Sequence, residues 1–226
     1  MSIIKNLKKR IEIKIKINSS YPNVLEWLKS KKKLNRLYQD RKIESIYFDT
    51  FDLQSARDNI DGLPNRVKYR LRKYNDNNYN NSFIEFKIKL NKFNAKKIYP
   101  FKVNSKKIDF SNIFDLKTFN LINQANDALN LIGYKKLLPI LEVSYLRSYY
   151  YFEDVIITLD RKIYYKLLSN YEKLNIKTDD ATIIEIKANE NKLNSVSNFI
   201  DEIPFRVTRN SKYITGLAMF GKVSYL

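Results

Sequence analysis

The sequence predicts an α+β domain built on an antiparallel β-sheet of about eight strands that closes into a barrel, with flanking helices. The main observation is an alternation of apolar and charged residues, which puts apolar side chains on one face of a strand and charges on the other. It occurs at residues 10–16, 66–72, 84–89 and 183–187. All four segments carry lysine or arginine on the charged face, an arrangement that suits a chain that wraps a polyanion.

Length and composition predict one domain and an anionic ligand. The chain of 226 residues is 44% hydrophobic, enough for a core, and a single domain is expected over residues 1–226. It has 42 Lys and Arg residues against 24 Asp and Glu residues, a net charge of +18. This balance favours nucleic acid, phosphorylated metabolites, polyphosphate or an acidic membrane surface as partners, although part of it is ordinary solvated lysine.

Several absences narrow the chemistry. The chain contains no Cys and no His, so thiolate nucleophiles, the usual general base and the usual transition-metal ligands are excluded. A metal would be held by oxygen ligands, which indicates Mg²⁺ or Mn²⁺. None of the four glycines forms a phosphate-binding loop, so side chains must bind phosphate. Without a signal peptide or an apolar run of about 20 residues, we expect a cytoplasmic protein.

Local patterns predict the elements of the first half. A strand is expected at 11–17, and a helix begins near Ser19, where serine can cap and Pro22 fits the first turn. Further strands are predicted at 43–49, 66–74 and 83–89, with a polar turn over 75–82 and a basic loop or short strand over 92–102.

The second half begins with a helix and continues with strands. Apolar residues at helical spacing predict a helix over 112–132 that stops at Gly133. The remaining expectations are strands at 140–150, 154–161 and 182–187, a last helix beginning near Leu193, and a closing segment at 211–220.

The charged strand faces contain the candidate binding residues. One strand presents a row of cations: Arg66, Lys68, Arg70 and Arg72. They are spaced about 7 Å apart, and arginine forks bind phosphate oxygens bidentately. Glutamates on neighbouring faces either neutralise repulsion among the cations or hold a divalent ion, for which Glu12 and Glu185 are the candidates. A solvated strand face, or attraction to nucleic acid, is the alternative interpretation.

In their order along the chain, these motifs resemble the triphosphate tunnel metalloenzymes, and within them the catalytic domain of the vacuolar transporter chaperone (VTC) polyphosphate polymerases. The matching motifs are Arg-x-Glu-x-Lys at 10–14, Ser-x-Tyr-Phe-Asp-Thr at 45–50, Arg-x-Lys-x-Arg-x-Arg-x-Tyr at 66–74, Glu-x-Lys at 85–87, Tyr-x-Arg at 145–147, Thr-x-Asp at 158–160, Glu-x-Lys at 185–187 and Ser-Lys-Tyr at 211–213. Each motif alone is weak, whereas their order and spacing together are specific.

The resemblance implies a basic tunnel in which ATP, beside Mn²⁺ or Mg²⁺, passes its terminal phosphate to polyphosphate or pyrophosphate. The implied catalytic cations are Lys14, Arg70, Arg72, Lys87, Arg147 and Lys212. Further phosphate-binding residues are expected at Arg10, Arg66, Lys68, Lys89 and Lys187. Glu185 is the implied metal ligand, with Glu12 as the second candidate. Such chemistry suits a chain without His or Cys, because phosphoryl transfer needs positioning and charge neutralisation more than proton shuttling.

Two departures from the family pattern bear on which function is expected. Ile156 stands where the family usually has an arginine, and Arg161 or Lys102 is the candidate replacement. The hydrolytic branch opens with Glu-x-Glu-x-Lys, whereas this chain has Arg10 first, which favours the polymerase. The alternatives are a hydrolase of inorganic triphosphate or nucleoside triphosphates, and a non-catalytic polyanion- or nucleic-acid-binding module. Interleaved glutamates argue against nucleic acid as a ligand, and any coupling to export would need a membrane partner.

Overall fold

The computed structural model describes residues 10–18, 21–31, 34–76, 79–101, 137–153, 155–168, 176–189 and 203–224, together with 192, 196–197 and 200–201. The strands in these ranges are β1 (Arg10–Ile17), β2 (Leu34–Asp49), β3 (Asn65–Asp76), β4 (Tyr79–Leu90), β5 (Phe93–Phe101), β6 (Leu138–Phe152), β7 (Val155–Leu167), β8 (Ile176–Asp179) and β9 (Thr182–Asn189). The helices are α1 (Tyr21–Lys29), α2 (Gln54–Ile60) and α3 (Lys212–Met219). None of these helices is long and apolar enough to span a bilayer.

Eight strands close into a ring in the order β6-β2-β3-β4-β5-β1-β9-β7, with β7 pairing back onto β6, and β8 adds to β7. All pairings are antiparallel. The ring is irregular, because β1 meets β5 only where Arg10 faces Asn94 and the β2–β6 pairing contains register shifts. The predicted closed antiparallel sheet with flanking helices is therefore confirmed, as a ring that is not a regular barrel.

A segment that precedes α3 runs along the edge of β1 that diverges from β5. The amide of Thr208 donates to the carbonyl of Lys14 at 2.9 Å, and the amide of Lys16 donates to Thr208 Oγ1 at 3.0 Å. Because the backbone polar groups of a strand edge need partners when they are shielded from water, this segment completes the wall that β5 leaves open.

The alternation seen in the sequence separates the core from the interior of the ring. On β3, Val67, Tyr69 and Leu71 belong to an apolar cluster shared with β2, β4 and β5. The residues between them, Lys68 and Arg70, face the interior. A second apolar cluster packs α1 against β1, β7 and β9.

Helix α3 packs tightly against the ring through a third apolar cluster. Tyr213, Ile214 and Leu217 are buried there with residues of β6 and β7. Gly216 permits this approach, since a Cβ atom at that position would lie 2.5 Å from the ring of Tyr165 and 2.6 Å from Leu141. The first turn of α3 is thereby fixed against the interior of the ring.

Several predicted boundaries were wrong. β2 begins at Leu34 rather than at residue 43, because its first half is largely exposed on both faces and shows no alternation. The predicted turn over 75–82 is mostly strand, since β3 and β4 pair as far as Asp76 and Tyr79. For the basic segment over 92–102, the short strand rather than the loop is confirmed, since β5 spans Phe93–Phe101.

Two short elements, α2 and β8, were not predicted, because neither carries a repeated apolar pattern. The predicted helix over 112–132 and its stop at Gly133 lie outside the described residues. So do Ser19 and Leu193, where helices were expected to begin.

Candidate active site

A cavity of about 310 Å³ lies inside the ring, at the lower end of the range of about 300–1,000 Å³ that is usual for small-ligand sites. Among the residues that the structure describes, its cationic lining consists of Arg10, Lys14, Arg41, Lys68, Arg70, Arg72, Lys87, Lys96, Arg147, Lys187 and Lys212. The acidic lining residues within the same ranges are Glu12 and Glu185. This excess of positive charge makes the cavity a site for an anionic ligand.

The structure brings almost every predicted site residue to this cavity; the exceptions are Arg66 and Lys89. Arg66 is half-buried and donates to the carbonyl of Leu63. Lys89 Nζ lies 3.0 Å from the carbonyl oxygen of Lys92. Arg66 extends the row of cations on β3, and Lys89 extends the row on β4, past the residues that line the cavity.

A buried glutamate holds the two arginines of β3. Glu85 Oε2 lies 2.6 Å from Arg70 Nη2 and 3.8 Å from Arg72 Nη1, and Glu85 Oε1 accepts from Lys96 at 2.9 Å. Burial raises the pKa of Glu85, but the charges of Arg70, Arg72 and Lys96 outweigh it and hold that pKa well below its usual range. Glu85 is therefore an ionised counter-ion in the wall of the cavity.

The Ser-x-Tyr motif of β2 orients the same arginines. Ser45 Oγ accepts from Arg72 Nε at 3.1 Å, and the hydroxyl of Tyr47 accepts from Arg70 Nη1 at 3.2 Å. Each guanidinium is thus fixed from two neighbouring strands, which leaves its geometry little freedom before a ligand arrives.

Asp49, the aspartate of the same β2 motif, anchors helices α2 and α3. Asp49 accepts from the backbone amides of Ser55 and Ala56 at 2.8 and 3.0 Å, so it caps the start of α2. It also accepts from the hydroxyl of Tyr213 at 2.7 Å, and the Tyr213 ring stacks on Tyr47 with centroids 4.9 Å apart. Asp49 therefore positions the first turn of α3, which carries Lys212.

Two carboxylates meet between β1 and β9. Lys14 Nζ contacts both of them, at 3.3 Å from Glu12 Oε1 and 3.6 Å from Glu185 Oε1. Lys87 Nζ lies 2.6 Å from Glu12 Oε1. Burial raises the pKa of both glutamates, but Lys87 and Lys14 lower that of Glu12, and Lys187, Lys14 and Arg147 lower that of Glu185, so both are ionised at neutral pH.

Burial lowers the pKa of four cavity lysines, Lys68, Lys87, Lys187 and Lys212. Burial lowers the pKa of Lys87 to about 7, the carboxylate of Glu12 opposes this shift, and the charge of Lys14 adds to it. Burial, together with Lys14 and Lys87, also lowers the pKa of Lys68 well below its usual value. An anion bound beside these lysines would favour their charged forms.

A third group of charges lies where β6, β7 and α3 meet. Asp160 accepts from Arg147 Nη2 at 2.7 Å and also pairs with Lys212. Arg147 Nη2 lies 3.0 Å from Glu185 Oε2. Burial raises the pKa of Asp160, but Arg147 and Lys212 bring it down to about 2. Asp160 therefore fixes two cations that reach the cavity from different elements.

The donor set for a metal consists of the paired carboxylates. No group of three or more Asp, Glu, His or Cys side chains forms a metal cluster within the part of the chain that the structure describes. Mg²⁺ usually binds proteins through one or two carboxylates, with phosphate oxygens and water as its other ligands. The Glu12–Glu185 pair fits this chemistry for an ion that binds together with phosphate.

Sequence reasoning missed some lining residues and misjudged one replacement. Arg41 and Lys96 line the cavity without having been singled out. Arg161 does not replace the family arginine absent at Ile156, because its guanidinium bonds Ser148 Oγ at 2.7 Å and Asp40 Oδ2 at 2.6 Å outside the cavity lining. Lys102, the other candidate, lies outside the described residues.

An irregular ring of antiparallel strands around a cation-lined cavity is consistent with a tunnel fold. The VTC domain family matches residues 1–221, so the chain belongs to the VTC domain family. No protein of curated function matches it.

Solved structures share the fold at low sequence identity. A candidate adenylyl cyclase from Hippeastrum, reported to have a dominant triphosphatase activity, superposes with a TM-score of 0.54 at 16% identity, over 96% of this chain and 97% of that one. Candidate adenylate cyclases from Vibrio parahaemolyticus and Bacillus halodurans both give 0.53, at 12% and 15% identity. They cover 93% and 92% of this chain, and 99% and 98% of their own. At identities this low, the superpositions show a shared fold and nothing about function.

Proposed function

We propose that the protein is an ATP-dependent polyphosphate polymerase that acts in the cytoplasm. The bond between the γ-phosphorus of ATP and its β–γ bridging oxygen would break, a terminal oxygen of polyphosphate or pyrophosphate would bond to that phosphorus, and ADP would leave. The observation that supports this proposal is the excess of cations in the cavity, eleven against two carboxylates among the described lining residues. Both substrates of the transfer are polyanions that require such neutralisation.

The roles follow from how each cation is held. The proposed catalytic cations are Lys14, Arg70, Arg72, Lys87, Arg147 and Lys212. Fixed in advance by their carboxylate partners, they would bind phosphate oxygens and neutralise charge on the transferred group. Arg10, Lys68 and Lys187 would bind the rest of the phosphate chain within the cavity. Glu12 and Glu185 would hold Mn²⁺ or Mg²⁺, which when bound supplies further charge neutralisation at phosphate oxygens.

The ionised state of Glu12 and Glu185 would favour transfer to phosphate over transfer to water. Water needs a base to attack phosphorus effectively, whereas the terminal phosphate of a polyphosphate is already an anion. Glu12 and Glu185 are poor bases, since nearby lysines lower the pKa of each. These two carboxylates would therefore give little help to an attacking water.

A triphosphate hydrolase is the second candidate, because the Hippeastrum protein of the same fold is named for a triphosphatase activity. Nucleic-acid binding has less support. The cations line a cavity of about 310 Å³ inside the ring, and a duplex would have no access to them there.

The test is to incubate the purified protein with ATP and Mn²⁺ and to stain the separated products for polyphosphate. We expect polymer from the unchanged protein and little from Lys212→Met, which removes one cavity cation and leaves Asp160 paired with Arg147. Lys73→Ala is the matched control, since it removes a lysine from the other face of β3. Free phosphate without polymer would favour the hydrolase and contradict the proposal.

A further inference from the structure

Three side chains of β2 and β6 form a cluster at the edge of the cavity. The rings of Tyr38 and Tyr149 meet edge to face with centroids 5.6 Å apart. The guanidinium carbon of Arg41 lies 4.7 Å from the centroid of Tyr38 and 5.6 Å from that of Tyr149. We refer to these three residues as the Tyr–Arg cluster.

An irregularity of the sheet creates this cluster. Tyr38 and Arg41 are three residues apart, so a regular strand would point them to opposite faces. The β2–β6 pairing shifts register on either side of Tyr38, which pairs with Tyr149, while Arg41 pairs with Arg147. Such irregularities re-aim side chains and are common beside active sites. Here the shift brings the side chains of Arg41 and Tyr38 against the aromatic ring of Tyr149.

The cluster lies next to the cations proposed to bind phosphate. Arg41 and Tyr149 line the cavity, as does Arg147. Tyr149 follows Arg147 by two residues on the same strand, a separation of about 7 Å. Tyr38 is 48% exposed, so part of its surface is accessible. A nucleotide with its phosphates at Arg147 can therefore extend its base toward the cluster.

Aromatic rings and guanidinium planes are the groups on which nucleobases stack. We infer that the Tyr–Arg cluster is a nucleobase-stacking subsite, which gives the cavity a preference for nucleoside triphosphates over inorganic tripolyphosphate. The inference rests on the proposed function, in which ATP is the phosphate donor, and it assigns the Tyr–Arg cluster to the base of that ATP. Tripolyphosphate, which has no ring, gains nothing from the two tyrosines.

The test compares two ligands on matched variants by calorimetry. Tyr38→Ala should raise the Kd for ATP about tenfold, the typical size of one base-stacking contact, and leave the Kd for tripolyphosphate unchanged. Tyr38→Phe keeps the ring and should bind ATP as the unchanged protein does. Tyr164→Ala is the control, because Tyr164 is similarly exposed at 45% but does not belong to the Tyr–Arg cluster; it should change neither Kd.

A comparison of two ligands on the unchanged protein tests the stacking subsite without a variant. ATP should bind about tenfold more tightly than ribose 5-triphosphate, which lacks only the base. Equal affinities, or a Tyr38→Ala change that is the same for ATP and tripolyphosphate, would overturn the stacking subsite and leave the proposed function intact. Failure to bind either ATP or tripolyphosphate would overturn both.

Discussion

At the scale of single residues, the cavity is a set of cations held by internal counter-ions. Arg70, Arg72 and Lys96 share Glu85, while Arg147 and Lys212 share Asp160. Like charges packed this closely would repel one another without such partners. The carboxylates therefore place the cations before any ligand binds, which is the preorganisation that electrostatic catalysis requires.

Glu85→Gln should destabilise the protein by about 3–5 kcal/mol at neutral pH, because it leaves buried arginines without their counter-ion. The folded-state pKa of Glu85 is depressed, so its contribution exists above the unfolded pKa of about 4.3 and shrinks as pH falls below it. Urea unfolding of both proteins at neutral and acidic pH measures this difference. Glu44→Gln, which removes a partner of the more exposed Lys42, should cost at most about 1 kcal/mol. Equal losses for the two variants would contradict the counter-ion role.

Lys87 should make phosphate binding depend on pH. Because burial lowers its pKa to about 7, the lysine must take up a proton when a polyanion binds above that pH. The affinity for tripolyphosphate should therefore fall as pH rises above about 7. Proton uptake is measurable by calorimetry in buffers of different ionisation enthalpy. Lys87→Arg keeps its charge at every pH tested, so the proton uptake due to Lys87 should disappear in this variant. Proton uptake that is unchanged in the variant would show that another group takes up the proton.

At the scale of elements, α3 carries Lys212 to the cavity and depends on close packing to do so. A Cβ atom at position 216 would lie 2.5 Å from Tyr165 and 2.6 Å from Leu141. Gly216→Ala should therefore destabilise the protein by about 1–3 kcal/mol, although alanine favours a helix by about 1 kcal/mol. It should also lower polymer formation by displacing Lys212. Thermal unfolding against Met219→Ala, a change on an exposed part of α3, tests this; a stabilised Gly216→Ala would contradict it.

β1, β3 and β9 were predicted correctly because their apolar and charged residues alternate. Other parts of the fold and of the site depend on contacts between residues distant in the chain and on register shifts, which no local sequence pattern predicts. Asp49 caps α2 from the end of β2 and is bonded to Tyr213, far away in the chain. Arg41 reaches the cavity only through a register shift against β6, which strand parity cannot anticipate.

At the scale of the whole molecule, ring closure turns separate charged faces into one site. β1 pairs with β9 along its full length, which puts Lys14 opposite Glu185. The sequence could predict which residues face inward, since their alternation is regular. It could not predict where the cavity lining ends, and Arg66 and Lys89 fall beyond it.

Those two outer cations should matter for long ligands only. Arg66→Ala/Lys89→Ala is expected to weaken binding of long-chain polyphosphate and to reduce its salt dependence, because fewer counterions are exchanged. Binding of tripolyphosphate, which fits within the cavity, should not change. Titrations with both ligands at several salt concentrations measure this, with Lys73→Ala/Lys166→Ala as a control of equal charge. Equal weakening for both ligands would show that the outer cations act on the cavity itself.

The most direct test of the proposed polymerase activity is to follow the γ-phosphate of ATP. The protein is incubated with Mn²⁺ and ATP radiolabelled at either the γ- or the α-phosphate, and the products are separated by chain length. A polymerase should place γ-label in chains that lengthen with time and α-label only in nucleotides. Release of the γ-label as orthophosphate, with none of it in polyphosphate chains, would contradict it.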